Sequence, residues 1–126
     1  MRKFNAENER VKRGYIDFLR HADGKSEATI DKCAAALNRF EESTGFKPFK
    51  NFHIEQAKRF KLKLERSRNP NSGEPLSVAT RGATRRLVKV FFKWLAFRLG
   101  CRSKIHPADA KYFNLTAKDE AVAHAL

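Results

Sequence analysis

Basic side chains recur at every fourth position in one segment of the sequence, residues 76–104. The segment contains eight Lys or Arg and no Asp or Glu, so it contributes +8 to the net charge of +13. Within it Arg81, Arg85, Lys89 and Lys93 are spaced by four residues, which places them on one side of a helix. Such a concentration of positive charge favours a polyanionic partner, either nucleic acid or an anionic membrane surface.

Hydroxyl side chains mark the expected start of the same helix. Ser77 and Thr80 precede the basic row, and hydroxyls at a helix start cap the free backbone N–H groups or contact phosphate. Apolar residues on another side of this helix predict a stripe that faces the core: Ala83, Leu87, Val90, Phe91, Trp94 and Leu95. Phe92 and Phe97 are expected at the edge of this stripe or outside it. The helix is expected to end at Gly100.

Three further helices are predicted from apolar residues at intervals of three and four. Helix 1 is expected over residues 4–21, helix 2 from the N-cap Ser26 to Gly45, and helix 3 over residues 54–66. The residues of these helices that are expected to face the core are Val11, Tyr15, Phe18, Leu19, Ile30, Cys33, Ala34, Leu37, Phe40, Ile54, Ala57, Phe60 and Leu64. The basic residues of helix 3, among them Lys61, are expected to face mostly outward.

Loops and short helical segments account for the rest of the chain. Residues 46–52 are predicted to form a loop whose three phenylalanines close the end of the bundle, and the polar residues 67–75 form a connector. Pro107 is expected to start a short helical segment and Thr116 a second one. No period-two strand pattern occurs, so the predicted fold is an all-α bundle of four main helices with a short C-terminal helical extension.

The sequence lacks the residue patterns of a catalytic centre, a metal site or a cofactor site. No phosphate-binding loop, dinucleotide-binding motif or nucleophile elbow occurs. The adjacent Glu41 and Glu42 point to different sides of their helix and make a poor acid–base pair. The histidines have no partner at metal-ligand spacing and are assigned to the surface or to helix caps: His21, His53, His106 and His124. We therefore expect neither catalysis nor a cofactor.

Size, composition and cysteine content indicate one water-soluble domain. A chain of 126 residues that is 41% hydrophobic and 33% charged is long enough to bury one core. Its two cysteines, Cys33 and Cys101, form no CxxC pair and are expected to be reduced. Because no apolar run reaches the roughly 20 residues of a membrane span and no signal-peptide core is found, we expect a cytoplasmic protein, or one on the nucleoid within the cytoplasm.

Residues 26–45, 52–64 and 75–96 together resemble the core-binding domain of the tyrosine recombinases, the phage-integrase family. That family shows a Thr near the start of one helix followed by spaced apolar residues, as at Thr29, Leu37 and Phe40. A Leu-Ser and Thr pattern opens a later helix and a Phe-Phe-x-Trp-Leu pattern closes it, here formed by Leu76, Ser77, Thr80, Phe91, Phe92, Trp94 and Leu95. The resemblance extends over about residues 24–113 and implies a SAM-like four-helix bundle.

The resemblance also implies a function, which is duplex DNA binding without DNA cleavage. In the family this domain packs on one side of the DNA, and a separate catalytic domain holds the residues that cut and rejoin strands. The family's DNA contacts match Lys25, Ser26, Thr29, Ser77, Thr80, Arg81 and Arg85, and we add Lys89 from the helical spacing. Residues 1–113 would then form the DNA-binding domain and residues 114–126 the start of a linker. The isolated domain is expected to be monomeric, and the parent recombinase tetrameric on DNA.

Two other functions are compatible with the basic charge. The chain would be a protein-interaction bundle if its basic surface bound an acidic partner protein and little duplex DNA. It would be an RNA or anionic-membrane binder if exposed aromatic side chains such as Phe92 or Phe97 contacted the partner, since bases stack on aromatic rings.

Overall fold

Four α-helices make up the structure, a computed structural model that describes residues 4–98 and 105–115. They are α1 (Ala6–Asp17), α2 (Glu27–Thr44), α3 (Ile54–Glu65) and α4 (Val78–Leu95). A π-helical turn, Phe18–Ala22, extends α1, and 3-10 turns occupy Phe49–Asn51 and Pro107–Phe113. Within the described ranges no strand forms, and a single β-bridge joins Arg68 to Pro75 in the connector. The predicted all-α bundle with a short C-terminal helical extension is confirmed.

Local sequence signals set the helix ends. The hydroxyls of Ser26 and Ser77 accept hydrogen bonds of 3.2 and 3.1 Å from the backbone N–H groups of Thr29 and Thr80, so both serines are N-caps. Gly45 ends α2 with φ of 72°, in the left-handed region that glycine adopts without a steric penalty. These ends lie where the sequence predicts them.

Phenylalanine rings fill the centre of the bundle. Phe92 of α4 stacks on Phe52, with ring centroids 4.2 Å apart, and meets Phe40 of α2 edge to face at 5.1 Å. Phe113 from the C-terminal 3-10 segment lies 5.6 Å from Phe92, and Phe49 lies 6.1 Å from it. Aromatic pairs of this kind contribute about 0.5–1.5 kcal/mol beyond their buried area. One ring cluster therefore joins α2, α4, the loop after α2 and the C-terminal segment.

The loop between α2 and α3 closes the bundle with two of its three phenylalanines. Phe49 and Phe52 are buried, as predicted. Phe46 is only partly buried, and it lines a surface cavity of about 470 Å³ together with the exposed Phe4. Its carbonyl oxygen accepts a hydrogen bond from Asn5, 3.1 Å long. The prediction that Phe46 closes the core is therefore wrong.

The core-facing side of α4 is rotated from the predicted stripe by about one residue. Val90 is 52% exposed and Ala83 and Leu87 are only partly buried, whereas Phe92 and Val88 are buried. Apolar residues of α4 occupy much of the circumference of this helix, so its apolar periodicity is compatible with more than one rotation of the helix about its axis. Because a phenyl ring buries more apolar area than an isopropyl group, packing selects the rotation that buries Phe92. The core assignment of Val90 and the peripheral assignment of Phe92 were wrong.

A polar cluster is buried between α1 and α2. The apolar periodicity of the sequence did not predict it. Asn8 donates to Glu41 at 3.2 Å and accepts from the backbone N–H of Phe49 at 2.9 Å. Lys12 forms an ion pair with Glu41 and lies 2.8 Å from Glu9. Burial lowers the pKa of Lys12, but the hydrogen bonds and charges of Glu41 and Glu9 outweigh burial and raise that pKa above its ordinary value. The cluster holds α1 to α2 and to the following loop.

Further differences from the predicted pattern occur at α3, α4 and the end of helix 1. Lys61 is buried rather than outward-facing, because its ammonium group donates to the carbonyl oxygen of Asn114 at 2.9 Å. Phe18 is 37% exposed, and α4 ends at Leu95 rather than at Gly100. The expectations for Gly100, Cys101, Thr116 and His124 fall outside the described residues. In the part of the chain that is described, no helix combines the length and apolarity needed to cross a membrane.

Candidate nucleic-acid interface

Two hydroxyl side chains stand at the exposed start of α4. Ser77 Oγ accepts from the Thr80 N–H and lies 2.9 Å from Thr80 Oγ1, to which it donates. Thr80 Oγ1 thus receives one hydrogen bond, which leaves its own O–H available to donate to an acceptor outside the helix. The helix dipole gives this end a partial positive charge, and the first turn contains no acidic residue. This helix start is therefore suited to an anion.

A carboxylate at the end of α3 holds two arginines of α4. Glu65 Oε2 lies 3.1 Å from Arg81 Nε, and Glu65 Oε1 lies 3.7 Å from Arg85 Nη1. Arg81 also donates to the carbonyl oxygen of Leu76. The side chains of Arg81 and Arg85 are only 19% and 14% exposed, so they lie along the seam between α3 and α4. Glu65 thereby fixes two guanidinium groups, and its single negative charge leaves one positive charge in excess.

Lys89 continues this row and is also anchored. Its ammonium group donates to Asn114 Oδ1 at 2.9 Å, and the backbone oxygen of the same asparagine accepts from Lys61 of α3. The row of Arg81, Arg85 and Lys89 therefore runs beside α3 and the C-terminal segment, and does not form the outermost side of α4.

The start of α2 has the same local geometry as the start of α4. Ser26 Oγ accepts from the Thr29 N–H and donates to Thr29 Oγ1 at 3.1 Å. The neighbouring Lys25 is exposed, and its ammonium group lies 4.0 Å from the carboxylate of Asp23. Lys25, Ser26 and Thr29 thus form a second exposed group of cation and hydroxyls.

The two helix starts differ in charge. Glu27 occupies the first turn of α2, where α4 has Val78. Arg20 binds Glu27 with hydrogen bonds of 2.7 and 3.0 Å, which hold the pKa of this carboxyl below its usual value. The carboxylate of Glu27 thus faces solvent at the start of α2, whereas α4 contains no acidic residue at all. The start of α4 is the stronger candidate for a polyanion site.

The predicted site residues fall into two groups, one at each helix start. Lys25, Ser26 and Thr29 belong to α2, and Ser77, Thr80, Arg81, Arg85 and Lys89 belong to α4. Hydrogen bonds join the hydroxyls within each start, and Glu65 joins Arg81 to Arg85.

Gly82 and Arg86 lie with Lys93 on the outer side of α4, and neither Gly82 nor Arg86 was singled out from the sequence. Arg86 and Lys93 are exposed, and neither forms an ion pair with the residues that the structure describes. A β-carbon placed on Gly82 would lie 3.5 Å from Arg86 Nη1 and 3.6 Å from Arg85 Nη2. The sequence signal for this group was a glycine in the middle of a helix, close to two consecutive arginines. The four-residue spacing of the basic row gave no indication of this glycine.

Other polar side chains in the structure have capping or packing positions. His53 Nδ1 and His106 Nδ1 accept from backbone N–H groups at 3.2 and 3.1 Å, which confirms their assignment as caps. Burial raises the pKa of Tyr15, which lies in the core beside Trp94. Over residues 4–98 and 105–115, no three His, Cys, Asp or Glu side chains are arranged to hold a metal ion.

Comparison with known proteins finds no matching family model, and no significant match among curated proteins or solved structures.

Proposed function

We propose that this chain binds duplex DNA through the start and basic side of α4, as the core-binding module of a site-specific tyrosine recombinase. One observation carries the proposal. Five basic side chains lie on a helix without acidic residues, next to two exposed hydroxyls at its positive end: Arg81, Arg85, Arg86, Lys89 and Lys93. Charge concentrated on one element is the electrostatic footprint of nucleic-acid binding. The recombinase part of the proposal rests on the sequence resemblance.

The side chains of α4 are suited mainly to phosphate contacts. Thr80 and the helix N–H groups would donate to phosphate oxygens at the helix start. Arg81 and Arg85 are already oriented by Glu65, so they lose less conformational freedom on binding than free arginines would. Contacts of this kind supply affinity and register without sequence information.

The start of α2 would add a second contact. Lys25, Ser26 and Thr29 are exposed or partly exposed and carry one cation and two hydroxyls. Strand cleavage and rejoining would require residues of a separate catalytic domain. This module would position the duplex for that domain.

Duplex binding over a salt series tests the proposal. We expect fluorescence anisotropy with a labelled duplex to show binding that weakens with salt, with log K falling against log salt at a slope of about −4 for four or five phosphate contacts. Single-stranded DNA of the same length serves as the control and should bind more weakly. Absence of duplex binding at about 50 mM salt, where phosphate contacts are strong, would contradict the proposal.

A basic surface that binds an acidic partner protein is the competing outcome. An acidic polypeptide such as polyglutamate, added as a second probe, would then bind at least as tightly as duplex DNA at equal charge. Preference for the duplex over polyglutamate at equal charge would favour DNA as the partner.

A further inference from the structure

We infer that Arg85 and Arg86 bind one backbone phosphate above Gly82, which is the point where DNA comes closest to α4. The inference rests on the proposed function and extends it, because neither Arg86 nor Gly82 is among the predicted contact residues. It identifies the ligand of this surface as a single phosphodiester group.

The two guanidinium groups converge on one point of the helix surface. Arg86 Nη1 and Arg85 Nη2 lie 3.5 and 3.6 Å from the position of a β-carbon on Gly82, so these nitrogens are separated by at most the sum of the two distances, about 7 Å. A phosphate group with oxygens on several sides can accept hydrogen bonds from two donors at such a separation. One phosphate group at this point could therefore contact both guanidinium groups.

Charge around this point is incompletely balanced. Glu65 lies 3.7 Å from Arg85 Nη1, on the side of the seam with α3. Arg86 faces solvent and forms no ion pair with the described residues. Two like charges held close together repel each other, and an anion bound between them removes that repulsion. An anion at Gly82 would offset the positive charge of the exposed Arg86.

Neither backbone conformation nor packing explains a glycine at this position. Gly82 lies inside α4 with no positive φ, and a β-carbon would be at ordinary contact distance from flexible arginine ends. Glycine is the least favourable residue in a helix interior after proline. The absence of a side chain at Gly82 leaves the helix backbone there open to the close approach of a ligand.

Replacement of Gly82 separates stability from binding. Gly82→Leu should raise the Tm by about 3 °C, because leucine favours the helix, and should weaken duplex binding about tenfold by covering the phosphate position. Gly14→Leu is the matched control, since Gly14 lies inside α1 and a β-carbon there meets nothing within 4 Å. This control should gain stability similarly and bind duplex DNA as the wild type does.

Replacement of Arg86 tests the charge. Arg86→Ala should change the slope of log K against log salt from about −4 to about −3, the effect of losing one phosphate contact. Arg13→Ala, at an exposed arginine of α1, should leave the slope unchanged. If Gly82→Leu and Arg86→Ala both bound duplex DNA with the wild-type affinity and salt slope, the inference would be overturned while the proposed function stands. The same conclusion would follow if Gly14→Leu weakened duplex binding as much as Gly82→Leu does. Failure of the wild-type chain to bind any duplex would overturn both.

Discussion

The rotation of α4 decides which residues face outward, and a pair of alanine substitutions measures it. Phe92 is 1% exposed and its ring lies within 6.1 Å of the rings of Phe40, Phe49 and Phe52, whereas Val90, two residues earlier, is 52% exposed. Phe92→Ala should destabilise the bundle strongly. Val90→Ala should have almost no effect on stability.

The size of the difference follows from burial. Truncation of a fully buried phenylalanine to alanine costs about 3–5 kcal/mol through lost apolar contacts and the remaining cavity. Domains of this size have a total stability of about 5–15 kcal/mol, so the Phe92 variant should still fold. For Val90→Ala the lost contacts are few and alanine is the better helix former, so the change should lie within about 0.5 kcal/mol.

Urea unfolding provides the assay. Trp94 is the sole tryptophan and lies 4.9 Å from the Tyr15 ring, so its fluorescence reports packing of α4 on α1, while circular dichroism reports helix content. Both probes should give the same midpoint if unfolding is two-state. Equal losses in the two variants, or a larger loss for Val90→Ala, would refute the placement of α4. The assignment of Gly82 and Arg86 to the outer side of α4 would then be lost as well.

Three further predictions concern the helix cap, the buried ion pair and the buried tyrosine. Ser77→Asp should retain the cap and leave the urea midpoint unchanged, but weaken duplex binding at least about tenfold by repelling phosphate; unchanged affinity would argue against contact at this helix start. Glu41→Ala should cost about 3 kcal/mol, the lower end of the range for a broken buried ion pair, because Lys12 loses its buried partner but keeps Glu9 and Asn38, and Lys12→Met with Glu41→Leu should recover most of that loss in urea unfolding. Losses that add in the double variant would contradict this account. Burial raises the pKa of Tyr15, so its contribution to stability is complete below the unfolded pKa of about 10 and is lost as pH rises above it. Tyr15→Phe should therefore lose less stability than the wild type between about pH 10 and 11.5. Parallel losses in the two proteins would show that the pKa of Tyr15 does not differ between the folded and unfolded states.

Three helix boundaries, the starts of α2 and α4 and the end of α2, were predictable because their causes are local. Ser26 and Ser77 cap helices through bonds that span three residues, and Gly45 supplies a left-handed residue where α2 ends. Each signal lies within a few positions of the structure it produces. The sequence alone therefore identified the four helices and the two hydroxyl pairs of the candidate interface.

Side-chain partners far apart in the sequence were not predictable in the same way. The position of Arg81 depends on Glu65 in another helix, and that of Lys61 depends on Asn114, 53 residues away. Helical spacing gives the relative angle of residues on one helix but not the rotation of that helix against its neighbours. The sequence therefore placed the whole basic row on one exposed side of α4, whereas in the structure Arg81, Arg85 and Lys89 are only partly exposed and the outer side carries Arg86 and Lys93.

The attachment of Asn114 has a mechanical consequence. Its side-chain oxygen is bonded to Lys89 of α4 and its backbone oxygen to Lys61 of α3, directly after the fully buried Phe113. The C-terminal segment is therefore held against both helices by its polar end as well as by the buried ring of Phe113. The same attachment sets a limit for shortened fragments: removing residues from Ile105 onward would take away Ile105, Ala110 and Phe113, all buried, and open the aromatic cluster to water. Residues 105–115 are thus part of the core on which α4 packs.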